Sequence, residues 1–182
     1  YVGMGKDLYA SYPLARELYA QADDILGTPL STMCFEGPEE ELRQTQNTQP
    51  AIFLHSIILT KLLDRHEVRM TAGHSLGEYS ALVFAGAMTF QDGLKLVRLR
   101  GELMQRAGEE QKGTMAAVLG LGPDVVDEMC REASAAGIVQ CANFNSPGQI
   151  VISGSVAGVE KAMELARARG ARLVKQLTVS GA

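Results

Sequence analysis

The sequence predicts an α/β fold in two parts, each supported by its own pattern. In the first part, a short strand candidate leads into the segment GHSLG at residues 73–77, and a helix candidate follows. A strand, a glycine-flanked serine and a helix, in that order, are typical of a nucleophile elbow. In the last third, the candidates follow the order β-α-β-β-α-β, which is the ferredoxin-like pattern. We therefore expect an α/β core with a nucleophile elbow and a ferredoxin-like subdomain.

Composition excludes several classes of function. The 182 residues are 46% hydrophobic and 21% charged, with a net charge of -4, which is the range of a globular protein. A mildly acidic chain without a Lys/Arg cluster has no electrostatic reason to bind nucleic acid. No apolar run is long enough to cross a bilayer. Three cysteines without a CxxC spacing argue against a disulfide framework or a metal site and favour a reducing, cytoplasmic compartment.

Three helices are predicted before the serine segment. The first covers Pro13–Leu26, because proline suits a first helical turn and Gly27 suits the end. A short helix is expected after Gly37-Pro38, where three glutamates follow. The third begins at Pro50 and is apolar on nearly every side, so we expect it to be buried between layers.

The segment around the serine is predicted to be strand, turn and helix. Val68–Ala72 is the strand candidate, and the helix covers Leu76–Phe84. Thr89 is a favourable N-cap residue, so it predicts a long helix from Phe90 to about Glu110.

The last third contains four predicted strands and two predicted helices. Turn signals such as Ser146-Pro147-Gly148 separate them. The strands are Thr114–Leu121, Ile138–Phe144, Gln149–Ser153 and Arg172–Thr178, and the helices are Pro123–Ala136 and a Ser155-capped segment that ends near Arg169.

Ser75 is the candidate nucleophile. A tight turn between glycines would expose its hydroxyl at the edge of the sheet, and the following helix would direct free N–H groups at the site. The N–H of Leu76 would then face the developing oxyanion. The alternative is an ordinary serine in a glycine-bracketed turn.

A catalytic serine needs a base, and the sequence offers none that convinces. His74 is adjacent to Ser75, so its side chain should point away, and a packing or hydrogen-bonding role suits it better. His55 lies inside the buried helix and reads as a satisfied core histidine, and His66 lies at the charged end of that helix. Either Ser75 is not a nucleophile or its base lies outside these residues.

Arg100 stands on an unexpected face of the long helix. On a wheel at about 100° per residue, it falls in the middle of the apolar arc, between Gly93 and Ala107. A buried guanidinium stays charged and needs anionic or carbonyl partners. Two interpretations stay open, an internal salt bridge or a fork for a substrate carboxylate. The other polar residues of this helix lie on the opposite arc, namely Lys95, Arg98, Glu102, Gln105 and Arg106.

Several segments together resemble the malonyl-CoA:acyl carrier protein transacylases of fatty acid biosynthesis. They occur in the order of that family: YVGMGKDLY, TQPAIF, GHSLGEYSALVFAGAMTF, VRLRGELM, ANFNSPGQIVISG and LTVSGA. The resemblance covers essentially all 182 residues. It implies that residues 1–113 belong to a hydrolase-like α/β core, that residues 114–178 form the ferredoxin-like subdomain, and that residues 179–182 return to the core.

The resemblance also implies that the chain is truncated at both ends. The family has a GQGSQ-like segment before YVGMG, whose glutamine helps form the oxyanion hole. Its catalytic histidine follows a stretch like VSGA by two residues, and its chain continues further. We therefore expect the base of Ser75 to lie beyond Ala182.

The implied activity is transfer of a malonyl group from malonyl-CoA to the phosphopantetheine thiol of acyl carrier protein, through an acyl-serine and without a cofactor. By similarity, Ser75 is the nucleophile, Leu76 contributes to the oxyanion hole and Arg100 binds the malonyl carboxylate. Gln49 and Asn145 match positions near the family's active-site cleft, and His74 has a supporting role.

Three alternatives stay open at this point. The first is another extender specificity, such as methylmalonyl transfer in polyketide synthesis. The second is an α/β serine hydrolase, although a buried cation suits an apolar ester poorly. The third is a fragment that binds acyl carrier protein but is inactive, because the sequence lacks the expected histidine.

Overall fold

The computed structural model describes residues 1–63 and 68–177. The chain divides into two compact units, Tyr1–Gln105 and Arg106–Ala182, which we call the helical unit and the sheet unit. The described residues of the helical unit form helices and loops, and the sheet unit carries a four-stranded antiparallel sheet. The predicted mixed α/β class is therefore confirmed.

The sequence predicts the bounds of the helix Pro13–Leu26 and the start of the helix Phe90–Glu110, whose predicted end near Glu110 is also observed. Residues 106–110 of the second helix belong to the sheet unit. Thr89 caps the second as predicted, because its Oγ1 accepts a 3.0 Å hydrogen bond from Asp92 N–H. Two short helices were not predicted. The helices are α1 (Lys6–Ser11), α2 (Pro13–Leu26), α3 (Leu30–Glu36), α4 (Glu39–Arg43), α5 (Thr45–Leu62), α6 (Gly77–Phe84) and α7 (Phe90–Glu110).

Helix α5 is the centre of the helical unit, and its predicted start is wrong. It begins at Thr45 instead of Pro50, so the proline lies inside the helix. Proline has no N–H and cannot donate to the carbonyl of Gln46, four residues earlier. Arg98 compensates for the lost bond, because its Nη1 donates to Gln46 O at 3.1 Å. The helix therefore continues through the proline, and Phe53, Leu54 and other side chains of α5 are fully buried as expected.

The strand predicted at Val68–Ala72 is also wrong. These residues have no regular secondary structure, and Met70 is 91% exposed. A strand is stable only when a neighbouring strand pairs with its backbone N–H and C=O groups. The described residues of the helical unit contain no such neighbour. The following helix starts at Gly77, one residue later than predicted, with Leu76 as its N-cap.

The sheet unit has the predicted order of strands and helices. The strands are adjacent in the order β2-β3-β1-β4, and every pair is antiparallel. Ala116, Val118, Ile150 and Ile152 form one buried cluster with side chains of the two helices. The elements are β1 (Gly113–Leu119), α8 (Pro123–Ala133), β2 (Val139–Ser146), β3 (Gln149–Ser155), α9 (Val156–Ala168) and β4 (Leu173–Leu177).

None of the helices in the described part of the chain is long and apolar enough to cross a membrane. The three cysteines have free thiols. Cys34 lies in the helical core, and burial raises the pKa of its thiol to about 11. Burial likewise raises the pKa of Cys130 to about 12. Cys141 is only half-buried.

We expect the three thiols of the folded protein to differ in alkylation rate. Near pH 8, Cys141 should react with iodoacetamide first, because reagent can reach it. Burial raises the pKa of Cys141 too, so the difference rests on access. Cys34 and Cys130 should react slowly, because they are buried and a raised pKa leaves little reactive thiolate. Peptide mass mapping of samples quenched at successive times measures the rates, and urea-unfolded protein is the control. Labelling of Cys34 as fast as Cys141 would contradict the burial described above.

Candidate active site

The serine turn is strained in the way that an elbow requires. Ser75 has φ 53°, and it is the one non-glycine residue with positive φ in the described parts of the chain. Non-glycine residues seldom adopt this left-handed conformation. Gly77 N–H donates to His74 O at 2.9 Å and Glu78 N–H donates to Ser75 O at 3.3 Å, which closes the turn. The Ser75 side chain is exposed, so its hydroxyl is accessible.

Glycine is required at position 73 for steric reasons. A Cβ atom on Gly73 would lie 1.9 Å from the carbonyl carbon of Gly77, which is far inside van der Waals contact. A Cβ atom on Gly77 would meet no described atom within 4 Å. The first glycine of GHSLG therefore permits the tight turn, and the second does not have that role.

The backbone N–H of Leu76 is available to a ligand. It donates to no acceptor among the residues that the structure describes, while its side chain packs against the helical core. The residue directly precedes α6, where the helix dipole favours negative charge. The N–H of Leu76, which is the predicted oxyanion donor, is therefore free to donate within the described residues and lies next to Ser75 at the start of a helix.

Arg100 and Ser75 are brought together. Arg100 Nη2 donates to Ser75 Oγ at 2.9 Å, and Nη1 donates to Gln49 Oε1 at 2.6 Å. Arg100 is half-buried. It forms no ion pair with a carboxylate of the described residues. The structure thus offers no internal salt bridge for Arg100 within the described residues.

Gln49 is a buried member of this group, with 6% of its surface exposed. Its Nε2 donates to the sulfur of Met104 at 3.1 Å. Ser75, Arg100 and Gln49 therefore form one hydrogen-bonded chain that ends at Met104.

Arg98 was misjudged from the sequence. The helical wheel put it on the solvent arc, but it is half-buried. It donates to Gln46 O, to Asn47 Oδ1 at 2.6 Å and to Glu102 Oε1 at 2.7 Å. The signal that could have revealed it is the carbonyl that Pro50 leaves without a donor.

The histidines supply no partner to Ser75 in the described residues. His74 is exposed. His55 is half-buried, and its Nδ1 is buried without a hydrogen-bond partner among the described residues, which is contrary to the expectation of a satisfied core histidine. His66 lies outside the described residues. The base of Ser75 therefore stays unassigned.

Asn145 lies in the sheet unit, and its role stays a prediction. It is exposed on β2, where the pairing with β3 shifts register between Phe144 and Ser146. Such irregularities redirect a side chain away from the regular alternation of a strand. No group of three or more metal-ligating side chains occurs among the described residues.

Comparison with known proteins gives a consistent family. The profile of the family described as acyl transferase domain matches residues 1–182. The malonyl CoA-acyl carrier protein transacylase of Bacillus subtilis is 47% identical over 184 residues, which cover 100% of this chain and 58% of that protein. The transacylase of the same name from Escherichia coli K12 is 44% identical, over 98% of this chain and 59% of its own length.

Solved structures agree with these relatives. An acyl carrier protein S-malonyltransferase from Vibrio cholerae has a TM-score of 0.93 and 41% identity, over 100% of this chain and 60% of that one. A malonyl-transacylase in complex with a type II polyketide synthase acyl-carrier protein has a TM-score of 0.94, 41% identity and the same coverage. The chain thus spans about three fifths of the length of these relatives.

The two glycines of the serine turn should respond differently to the same substitution. We expect Gly73→Ala to lower the free energy of unfolding by about 3 kcal/mol, because the new Cβ overlaps Gly77. Gly77→Ala should change it by about 1 kcal/mol or less, in the stabilising direction, because alanine favours α6. Urea denaturation measures both. Equal effects would show that Gly73 is not sterically constrained.

Proposed function

This chain belongs to the acyl transferase domain family, and we propose that its protein transfers a malonyl group from malonyl-CoA to the phosphopantetheine thiol of acyl carrier protein. The observation that supports this most is the 2.9 Å hydrogen bond between Arg100 and Ser75. The cation of Arg100 lies beside an exposed hydroxyl, and no carboxylate of the described residues pairs with it. The carboxylate of an acyl group bound to that hydroxyl would lie near the Arg100 guanidinium and could pair with it.

The proposed reaction has two half-reactions with one acyl-enzyme between them. Ser75 Oγ attacks the thioester carbon of malonyl-CoA, and the tetrahedral intermediate collapses with loss of the coenzyme A thiol. The carrier thiol then attacks the acyl-serine and regenerates Ser75. The proton of Ser75 needs a general base, which we assign to a histidine outside the described residues, as the family resemblance implies. No cofactor takes part.

The left-handed conformation of Ser75 and the start of α6 suit the oxyanion of both half-reactions. As negative charge develops on the thioester oxygen, the free N–H of Leu76 can donate to it. The dipole of α6 favours the same charge. We assign the second donor to the segment that precedes YVGMG in the family.

Arg100 is the proposed specificity residue. A guanidinium binds a carboxylate through parallel charge-assisted hydrogen bonds, which fix orientation as well as charge. An apolar ester would offer this cation no anionic partner. This contact therefore favours malonyl transfer over the serine hydrolase alternative.

The remaining assignments complete the proposal. We assign residues 1–113 to a hydrolase-like α/β core and residues 114–178 to a ferredoxin-like subdomain. Residues 179–182, which lie outside the described residues, would return to the core. Asn145 would be a further substrate-binding residue, as the family resemblance implies, and His74 would support the turn. Fatty acid biosynthesis in the cytoplasm is the proposed setting.

Removal of the guanidinium should change donor preference. In the full-length protein, we expect Arg100→Ala to lower kcat/KM for malonyl-CoA about 100-fold, since hydrogen bonds to charged groups contribute about 1.5–3 kcal/mol each. Transfer from acetyl-CoA should fall much less. Arg106→Ala, which removes an exposed arginine of the same helix, is the matched control. Equal loss with both donors would contradict the role of Arg100.

The acyl-serine itself can be observed by intact mass. After mixing with malonyl-CoA, we expect the full-length protein to gain the mass of one malonyl group and to lose it when the phosphopantetheine-loaded carrier is added. Ser75→Ala should gain nothing, because the nucleophile is absent. An adduct of equal yield on Ser75→Ala would place the nucleophile elsewhere.

A further inference from the structure

We propose that Gln49 is a positioning residue, whose buried amide holds the Arg100 guanidinium beside Ser75 without neutralising its charge and so sets the preference for a carboxylated acyl group. This inference rests on the proposed function. It differs from a direct contact with substrate, because Gln49 would act only through Arg100.

The chemistry of the two side chains fixes the orientation of the amide. A guanidinium has N–H donors and no acceptor, so the Gln49 atom that lies 2.6 Å from Arg100 Nη1 must be the oxygen. The amide nitrogen then faces the opposite way, where it donates to the sulfur of Met104 at 3.1 Å. Since Gln49 is 6% exposed, bulk water competes little for either bond. The amide is therefore held from both sides.

The charge of Arg100 is left for a substrate. A carboxylate at position 49 would orient the guanidinium equally well but would also compensate its charge before any substrate arrived. An amide oxygen gives the orientation alone. Arg98, two residues earlier on α7, shows the contrast, because its Nε contacts Glu102 Oε1 at 2.7 Å. Arg98 therefore has a carboxylate among its acceptors, as exposed Arg106 does with Glu110. The acceptors of Arg100 within the described residues are the neutral Gln49 amide and the Ser75 hydroxyl.

The position of Gln49 is set by backbone packing. A Cβ atom on Gly101 would lie 2.7 Å from Thr45 O, so α7 approaches the start of α5 more closely than any other residue would allow. Arg98 joins the same two helices through Gln46 O. Gln49 follows within one turn of these contacts. The amide is thus preorganised by two rigid helices, which is the condition for an accurate site.

The test compares two substitutions at position 49 in the full-length protein. Gln49→Glu adds a charge with little change of shape, and Gln49→Met removes the hydrogen bond while keeping an unbranched side chain. KM and kcat are measured with malonyl-CoA and acetyl-CoA as donors and phosphopantetheine-loaded carrier as acceptor. Gln91→Glu, the same substitution at an exposed site on α7, is the matched control. Circular dichroism reports whether each variant folds.

We expect Gln49→Glu to raise KM for malonyl-CoA about tenfold or more, because the counter-charge competes with the substrate carboxylate. Acetyl transfer should change by a much smaller factor. Gln49→Met should also weaken malonyl transfer, but its kcat/KM for malonyl-CoA should fall less than that of Gln49→Glu. The reason is that Arg100 keeps its charge and loses only its orientation. The control should keep the wild-type ratio of the two donors. If Gln49→Glu does not fold, the ratio of kcat/KM for malonyl-CoA to kcat/KM for acetyl-CoA in Gln49→Met tests the inference. A ratio equal to that of the wild-type protein would overturn it.

Failure of this inference is distinct from failure of the proposed function. Absence of malonyl transfer by the wild-type protein would overturn the function. The role of Gln49 alone would be overturned by a different set of results. The wild-type protein would transfer malonyl groups, Arg100→Ala would abolish this transfer, and both Gln49 variants would keep the wild-type ratio of malonyl to acetyl transfer. Equal losses with both donors in the Gln49 variants would also overturn it, because a general structural defect has no reason to discriminate.

Discussion

The close approach of α7 to the start of α5 is the constraint on which the site depends. It requires Gly101, because any side chain there would overlap the backbone at Thr45 and Gln46. The same approach lets Arg98 reach the carbonyl that Pro50 leaves without a donor. Two residues further along α7, Arg100 reaches Gln49 and Ser75. Packing of α7 against α5 therefore positions Arg100, and its hydrogen bonds to Gln49 and Ser75 orient the guanidinium.

The serine turn is a second constraint, and it is stabilised from outside. A left-handed conformation at Ser75 costs free energy and persists only if the surroundings impose it. The fit of Gly73 against Gly77 supplies part of that support, and Leu76 and Val83 pack into the helical core on the other side. Burial of these two side chains against the helical core thus helps to offset the strain. A rigid helical frame can hold an exposed and strained nucleophile for this reason.

Local signals predicted much of the fold, and tertiary effects account for the errors. The bounds of α2 and α7 follow from caps and periodicity, which the chain carries locally. The strand at Val68–Ala72 failed because pairing depends on a neighbour that local sequence does not contain. The early start of α5 was missed because Arg98, 52 residues after Gln46, replaces the donor that Pro50 lacks. Arg100 was found because a charge on an apolar arc is anomalous, whereas Arg98 on a polar arc is not.

The hydrogen bond from Arg100 to Ser75 has two opposite effects in the proposed reaction. A cation that donates to Ser75 Oγ favours the ionised serine, but it also occupies a lone pair that the attack on a thioester needs. A malonyl carboxylate competes for the same guanidinium and offers it two charged acceptors in place of one hydroxyl. In the proposed reaction the malonyl carboxylate would therefore take over the Nη2 donor that Ser75 Oγ accepts from in the structure. Gln49 Oε1 would keep its bond to Nη1 in both arrangements, so the orientation of the guanidinium and the recognition of the carboxylate depend on different N–H groups of one side chain.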